Sequence, residues 1–114
     1  MFNFANPAVA WTALIIAGLL EPVWAGAMKA SDGFTKLWPV VLTLGAAWAS
    51  FALLGLSLKA LPVGSAYAVW TGIGAVGTAI VGIIHFHEPA TAARITFIAL
   101  IIVGIGGLKV TGGE

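Results

Sequence analysis

Apolar residues occur in four long runs along the chain, and short polar stretches separate them. The runs cover about 8–28, 37–58, 64–84 and 94–110. Each approaches the roughly 20 residues that an α-helix needs to cross about 30 Å of hydrocarbon. The connecting stretches "KASDGFTK", "KALPVG" and "HFHEPATAA" hold most of the polar residues together with turn-forming Gly and Pro. The pattern predicts four transmembrane helices in one domain over residues 1–114, without a soluble domain.

The composition supports an all-α membrane protein. Hydrophobic residues make up 61% of the chain and charged residues 8%, whereas a soluble domain carries about 25% charge. The absence of cysteine from the sequence excludes disulfides and thiolate metal ligands, and a net charge of +1 argues against a nucleic-acid partner. We expect a multi-pass membrane protein, surrounded by lipid, whose first helix is too long for a signal peptide and is retained.

Loop charges give little preference for one orientation in the membrane. Four spans place Lys59 and Lys109 on one side, and Lys29, Lys36 and Arg94 on the other. This bias is too weak for the positive-inside rule to fix the direction of insertion. The sequence therefore favours insertion in both orientations, which permits an antiparallel, dual-topology dimer. We expect a homodimer, and pairing with a sibling subunit is the alternative. A single orientation set by the cell is the alternative.

The first apolar run contains Glu21 followed by Pro22. An ionised side chain near a helix centre costs about 2.5–3.5 kcal/mol on insertion scales, so an acid in this place indicates a function. The alternative is a protonated acid that serves only as an interhelical hydrogen-bond donor. Pro22 has no N–H to donate to the carbonyl of Gly18, and we expect the helix to bend or loosen there.

Helical spacing gives Glu21 a set of neighbours. Small residues and one indole share its face of the first helix, and hydroxyl and aromatic residues follow one face each of the second and third helices. Converging on Glu21, these faces would form a polar pocket with aromatic walls. The candidate pocket residues are Trp24, Ser50, Tyr67 and Trp70. Two simpler interpretations remain open: Trp24 fills the core, and Ser50 bonds the backbone of its own helix.

Glycines in the third run indicate close helix packing. Gly74, Thr78 and Gly82 recur every fourth residue, the small-xxx-small pattern that lets helices approach in lipid. Gly72 and Gly74 also allow a hinge in this helix. Packing is the favoured interpretation, and Gly18 belongs to a similar small-residue face in the first helix.

The last connector contains the stretch "HFHEP", which offers no recognised metal-ligand spacing. We expect these residues to be solvated, with neither a metal nor a cofactor. Trp11 and Trp38 lie near helix ends and are expected at the membrane interface, whereas Trp48 is assigned to packing.

A carboxyl group far from water has its charged form disfavoured, and two such groups facing one cavity in a dimer titrate as a coupled unit. One site can then hold protons or a cation in alternation. This competition is sufficient for proton-coupled exchange of a cation across the membrane, and it points to a secondary active transporter rather than an enzyme.

Three stretches of the chain resemble the small multidrug resistance family: "GLLEPVWAGAMKASDGFTKLWP", "ALPVGSAYAVWTGIGAVGTAIVGI" and "GIGGLKVTGG". The family consists of four-helix subunits in antiparallel, dual-topology dimers that exchange protons for cations. The resemblance implies that the chain is a multi-pass protein of the prokaryotic inner (cytoplasmic) membrane. The tryptophan three residues after the acid, the "AYAVWTGIGA" run and the "GLK" ending are similar to the guanidinium exporters. The resemblance implies that Glu21 binds protons and substrate, that Trp24 and Ser50 bond or orient it, that Trp70 packs against it, and that Tyr67 borders the pocket.

Pro22 departs from this resemblance, because guanidinium exporters usually carry a branched aliphatic residue at that position. We expect the proline to alter the bend of the first helix and the width of the pocket, and therefore its selectivity. Substituted guanidinium cations are included in the expected substrates. The alternatives are a polyspecific exporter of quaternary ammonium and lipophilic cations, and a membrane scaffold that transports nothing.

Overall fold

The chain folds into four α-helices, and the described range, residues 3–112 of a computed structural model, contains no strand. The helices are α1 (Pro7–Ala30), α2 (Leu37–Ser57), α3 (Val63–His85) and α4 (Ala92–Gly112). Their ends differ from the predicted limits by two residues or fewer. Each is long and apolar enough to cross a membrane, which confirms the all-α membrane fold class. Residues 1–2 and 113–114, the outermost parts of the predicted domain, lie outside the described range.

Local sequence signals explain how α1 begins. The side chain of Asn6 accepts a hydrogen bond of 2.8 Å from the backbone N–H of Ala8, and Pro7 takes the first helical position. An Asn cap satisfies a free N–H of the first turn, and a proline there loses no helical hydrogen bond. The helix then continues through Pro22 as far as Ala30. The expected loosening at Pro22 thus does not divide α1 into two helices.

Helix α1 is the centre of the fold. It packs against both α2 and α3, whereas the backbones of α2 and α3 approach each other little and the backbone of α4 approaches only that of α3 among the described helices. The buried core lies where α1, α2 and α3 meet, beside the loop that joins α2 to α3. Its members are Ala10, Leu14, Ala17, Leu61, Ala66, Val69 and Trp70. No buried residue comes from the described part of α4.

Small residues bring α1 and α3 together. A Cβ atom added at Gly18 would lie 2.9 Å from the Cβ atom of Ile73, and one added at Gly77 would overlap the ring of Pro22. On the other side of α3, a Cβ atom at Gly72 would come within 2.8 Å of Ile105 in α4. Gly18 and Gly72 therefore lie at tight contacts between helices. A hinge at Gly72 stays a prediction.

Three tryptophans outside the core differ in their surroundings. Trp38 is 76% exposed, which suits a side chain at the membrane interface. Trp48 is 74% exposed, so it is not packed inside the single chain, and its assignment to packing stays a prediction. The ammonium of Lys109 lies 4.9 Å from the centroid of the Trp11 ring and forms a cation–π contact between the two ends of the chain.

Candidate functional site

Glu21 lies on the face of α1 that packs against α3. Its carboxyl group rests on Gly74, where an added Cβ atom would overlap the Cδ and Oε1 atoms of the acid. Oε1 of Glu21 is buried, and it has no hydrogen-bond partner within residues 3–112. A buried acceptor without a donor costs free energy, because the hydrogen bonds that water would supply are lost. Glu21 can thus take up a proton or accept a hydrogen bond from a ligand.

Ser50 connects three helices. Its hydroxyl donates a hydrogen bond of 2.6 Å to the carbonyl of Ala17 in α1 and accepts one of 2.9 Å from Nε1 of Trp70 in α3. Ser50 and Trp70 are both buried. Ser50 therefore bonds the backbone of a neighbouring helix, and the simpler interpretation, a bond within its own helix, does not apply. The two bonds fix the position of the Trp70 ring relative to α1.

Aromatic rings form a continuous row beside this hydrogen-bonded chain. Ring centroids are 6.4 Å apart for Trp24 and Phe51, 5.6 Å for Phe51 and Trp70, and 5.5 Å for Tyr67 and Trp70. These separations are typical of aromatic pairs that attract each other. Tyr67 is at the open end of the row, with 56% of its surface exposed. The structure thus brings the three predicted aromatic residues into one wall.

Phe51 was not predicted as a site residue. It lies between Trp24 and Trp70 and joins their rings. Its position directly after Ser50 turns it away from the predicted polar face of α2 by about 100°, the rotation per residue of a helix with 3.6 residues per turn. Only the aromatic character of the residue beside Ser50 offered a signal in the sequence.

The predicted hydrogen-bond donors do not reach Glu21 in the single chain. The Ser50 hydroxyl donates its hydrogen bond to the carbonyl of Ala17, and the Trp70 indole donates to the Ser50 hydroxyl. Nε1 of Trp24 is buried and, within the described residues, has no partner. Glu21 and Trp24 are three residues apart on α1, so an unpaired acceptor and an unpaired donor occupy neighbouring positions on one helix.

This arrangement is chemically suited to a small organic cation. A carboxylate pairs with an N–H donor group, and the faces of Trp, Tyr and Phe attract positive charge through their quadrupoles. Glu21 offers the first element, and the row that includes Trp24 and Trp70 offers the second. Within the described spans α1 and α2, Glu21 is the one acidic residue.

Similarity to known proteins extends over most of the chain. A guanidinium exporter of Yersinia pseudotuberculosis serotype I is 56% identical over 101 residues, which cover 89% of this chain and 97% of that protein. A guanidinium exporter of Escherichia coli K12 is 53% identical over 103 residues, 90% of this chain and 98% of its own length. One from Citrobacter freundii is 52% identical over 103 residues, with the same coverage of both chains.

The four apolar helices and the bacterial exporters that are similar in sequence make this chain a multi-pass protein of the prokaryotic inner membrane. The sequence model of the family described as Small Multidrug Resistance protein matches residues 9–101, which include Glu21 and the whole aromatic row. The chain belongs to the small multidrug resistance family.

Proposed function

We propose that this protein is a proton-coupled antiporter that exports guanidinium and substituted guanidinium cations. Glu21 binds protons and the cation in alternation. The observation that carries the proposal is the buried Oε1 atom of Glu21, which has no hydrogen-bond donor within the described chain. An acid in a membrane helix is energetically costly and therefore indicates a function. Because Oε1 of Glu21 is unpaired within the described residues, it can bind either a proton or the cation.

Guanidinium suits this site for two reasons. It is a planar group of N–H donors that can bond a carboxylate through two parallel hydrogen bonds. Its flat faces stack on aromatic rings, and Trp24 and Trp70 belong to the aromatic wall. The relatives named as guanidinium exporters, which cover nearly the whole chain, support the same substrate class.

Exchange follows from competition at one carboxyl group. A cation binds when Glu21 is ionised, and a proton neutralises the carboxylate and removes the main attraction for the cation. We expect the protein to change the side on which its site is open only when a proton or a cation is bound. Export of the cation then requires import of protons. The proton gradient then drives the cation outward.

The active form is an antiparallel homodimer. In the single chain Glu21 is only half buried, and α4 contributes no buried residue within its described span. A second copy would cover both surfaces and bring a second Glu21 to the same cavity. The balance of loop charges, two against three, permits insertion in both orientations.

A second function, export of quaternary ammonium or lipophilic cations, is favoured by one observation. The row of four rings from Trp24 to Tyr67 presents aromatic surface that attracts cations without needing N–H donors. The two substrates differ in what they ask of Glu21. Guanidinium donates hydrogen bonds to the oxygens of the Glu21 carboxylate, whereas a quaternary cation interacts only with the negative charge of that carboxylate.

Uptake by proteoliposomes distinguishes these functions. A pH gradient should drive accumulation of guanidinium, Glu21→Gln should abolish it, and Glu21→Asp should shift its pH dependence. Asp32→Asn is the matched control, because it removes a loop carboxylate at a positive φ of 51° that Asn tolerates. Tetraphenylphosphonium carried much faster than guanidinium would support the second function. Transport of neither cation by the unmodified protein would leave a membrane scaffold.

A further inference from the structure

A cavity of about 280 Å³, whose lining does not include Glu21, lies at the end of the bundle where α1 and α3 finish and α4 begins. Its floor consists of residues of α1 and α3 that are small except for Val81, among them Ala25, Gly26 and Thr78. Its rim carries Lys29, Phe86, Glu88 and Arg94. The cavity thus has an apolar floor within the membrane spans and a charged mouth at their ends.

The charges at the mouth are arranged around one ion pair. Nη2 of Arg94 is 3.3 Å from Oε1 of Glu88, and Nη1 of Arg94 donates a hydrogen bond of 2.9 Å to the carbonyl of Pro89. The Glu88 side chain folds back onto Gly82, where an added Cβ atom would overlap its carboxyl group. Glu88 is therefore not the freely solvated loop residue expected from the sequence. The ion pair holds Arg94 at the rim and leaves several of its N–H donors open.

Lys29 adds a second positive charge to the same rim. Its ammonium lies 5.9 Å from the centroid of the Phe86 ring and, within residues 3–112, takes part in no ion pair. Two cations against one carboxylate leave the mouth with a net charge of +1. Basic pockets between transmembrane helices at the membrane surface are suited to lipid headgroups.

We propose that this cavity binds an anionic phospholipid whose phosphate lies between Lys29 and Arg94 and whose glycerol backbone and upper acyl chain enter the apolar floor. The small residues of α1 and α3 leave room for the chain, and the two basic side chains match the headgroup charge. A soluble anion would use only the rim, because the floor offers it nothing polar except the hydroxyl of Thr78.

The lipid is tested on protein purified in a neutral detergent, so that changes of membrane orientation do not affect the result. Native mass spectrometry measures the binding of dioleoyl phosphatidylglycerol and of dioleoyl phosphatidylethanolamine, which has the same chains and no net charge. Lys29→Gln should weaken phosphatidylglycerol binding about fivefold, the effect of one basic side chain near an anionic surface. Lys36→Gln is the matched control, since it removes a loop lysine of the same membrane side that does not line the cavity. It should leave binding unchanged.

Glu88→Gln gives a test of opposite sign. Glu88 is the one carboxylate among the described residues that line the cavity, and its removal should strengthen phosphatidylglycerol binding, because Arg94 then loses its ion pair. In a cavity that binds cations, by contrast, the loss of the Glu88 carboxylate would weaken ligand binding. The proposal is overturned if the two lipids bind equally, if Lys29→Gln and Lys36→Gln have the same effect, if Glu88→Gln weakens binding, or if millimolar inorganic phosphate displaces the lipid.

Discussion

The three-helix connection through Ser50 can be tested by removing one oxygen atom. Ser50→Ala deletes the donor to the Ala17 carbonyl and the acceptor of the Trp70 indole, at a position with no exposed surface. Interhelical hydrogen bonds in membrane proteins contribute on average about 0.6 kcal/mol each, so the loss of both should destabilise the fold by about 1 kcal/mol. The Trp70 N–H, left buried without an acceptor, adds to this loss.

Ser57→Ala is the matched control for this substitution. Ser57 lies in the same helix and is equally buried, but its hydroxyl donates only to the carbonyl of Leu54 one turn earlier. Unfolding by sodium dodecyl sulfate from mixed micelles should show a larger loss of stability for Ser50→Ala than for Ser57→Ala, by about 1 kcal/mol. Guanidinium binding should also weaken, because the Trp70 ring loses the hydrogen bond that holds it in the wall. A loss of about 1 kcal/mol in binding free energy corresponds to a roughly fivefold weaker affinity. Equal effects of both substitutions on stability would refute this explanation of how the wall is held.

Three further changes test other contacts. Gly74→Ala places a methyl group where the Glu21 carboxyl group lies and should nearly abolish guanidinium transport. The methyl group of Gly45→Ala meets only open space, so this control variant should transport normally in the same uptake assay. Pro22→Val should retain guanidinium transport and change the preference for bulkier cations, measured by competition; an identical substrate profile would make the proline neutral. Lys109→Gln removes the cation–π contact with Trp11 and should lower the stability in mixed micelles by about 0.5–1 kcal/mol, with no change in transport. A stability equal to that of the unmodified protein would show that this contact contributes nothing.

The helices and their buried faces could be predicted because both depend on local sequence. Length and hydropathy set the four spans, and the period of 3.6 residues separates the two sides of α1. Ala17 and Gly18 are buried there, while Ile16 and Leu19 are exposed, as the pattern indicates. The cost of an acid in lipid was sufficient to single out Glu21.

The partners of each side chain could not be predicted, because they depend on how the helices rotate and approach one another. Spacing places Ser50 on an inner face but does not reveal that its hydroxyl bonds the carbonyl of Ala17 rather than Glu21. Phe51 enters the aromatic wall because α2 packs closely on α1. The contact between Glu88 and Gly82 needs the chain to turn back at His87, whose φ of 58° is unusual for a residue other than Gly.

The central claim is that protons and a guanidinium cation compete for Glu21. Guanidinium titrated into purified protein in weakly buffered detergent solution should release protons, and its affinity should fall as the pH is lowered. Glu21→Gln should release no protons, whereas Asp32→Asn should behave like the unmodified protein. Guanidinium binding that releases no protons and has the same affinity at every pH would contradict the account.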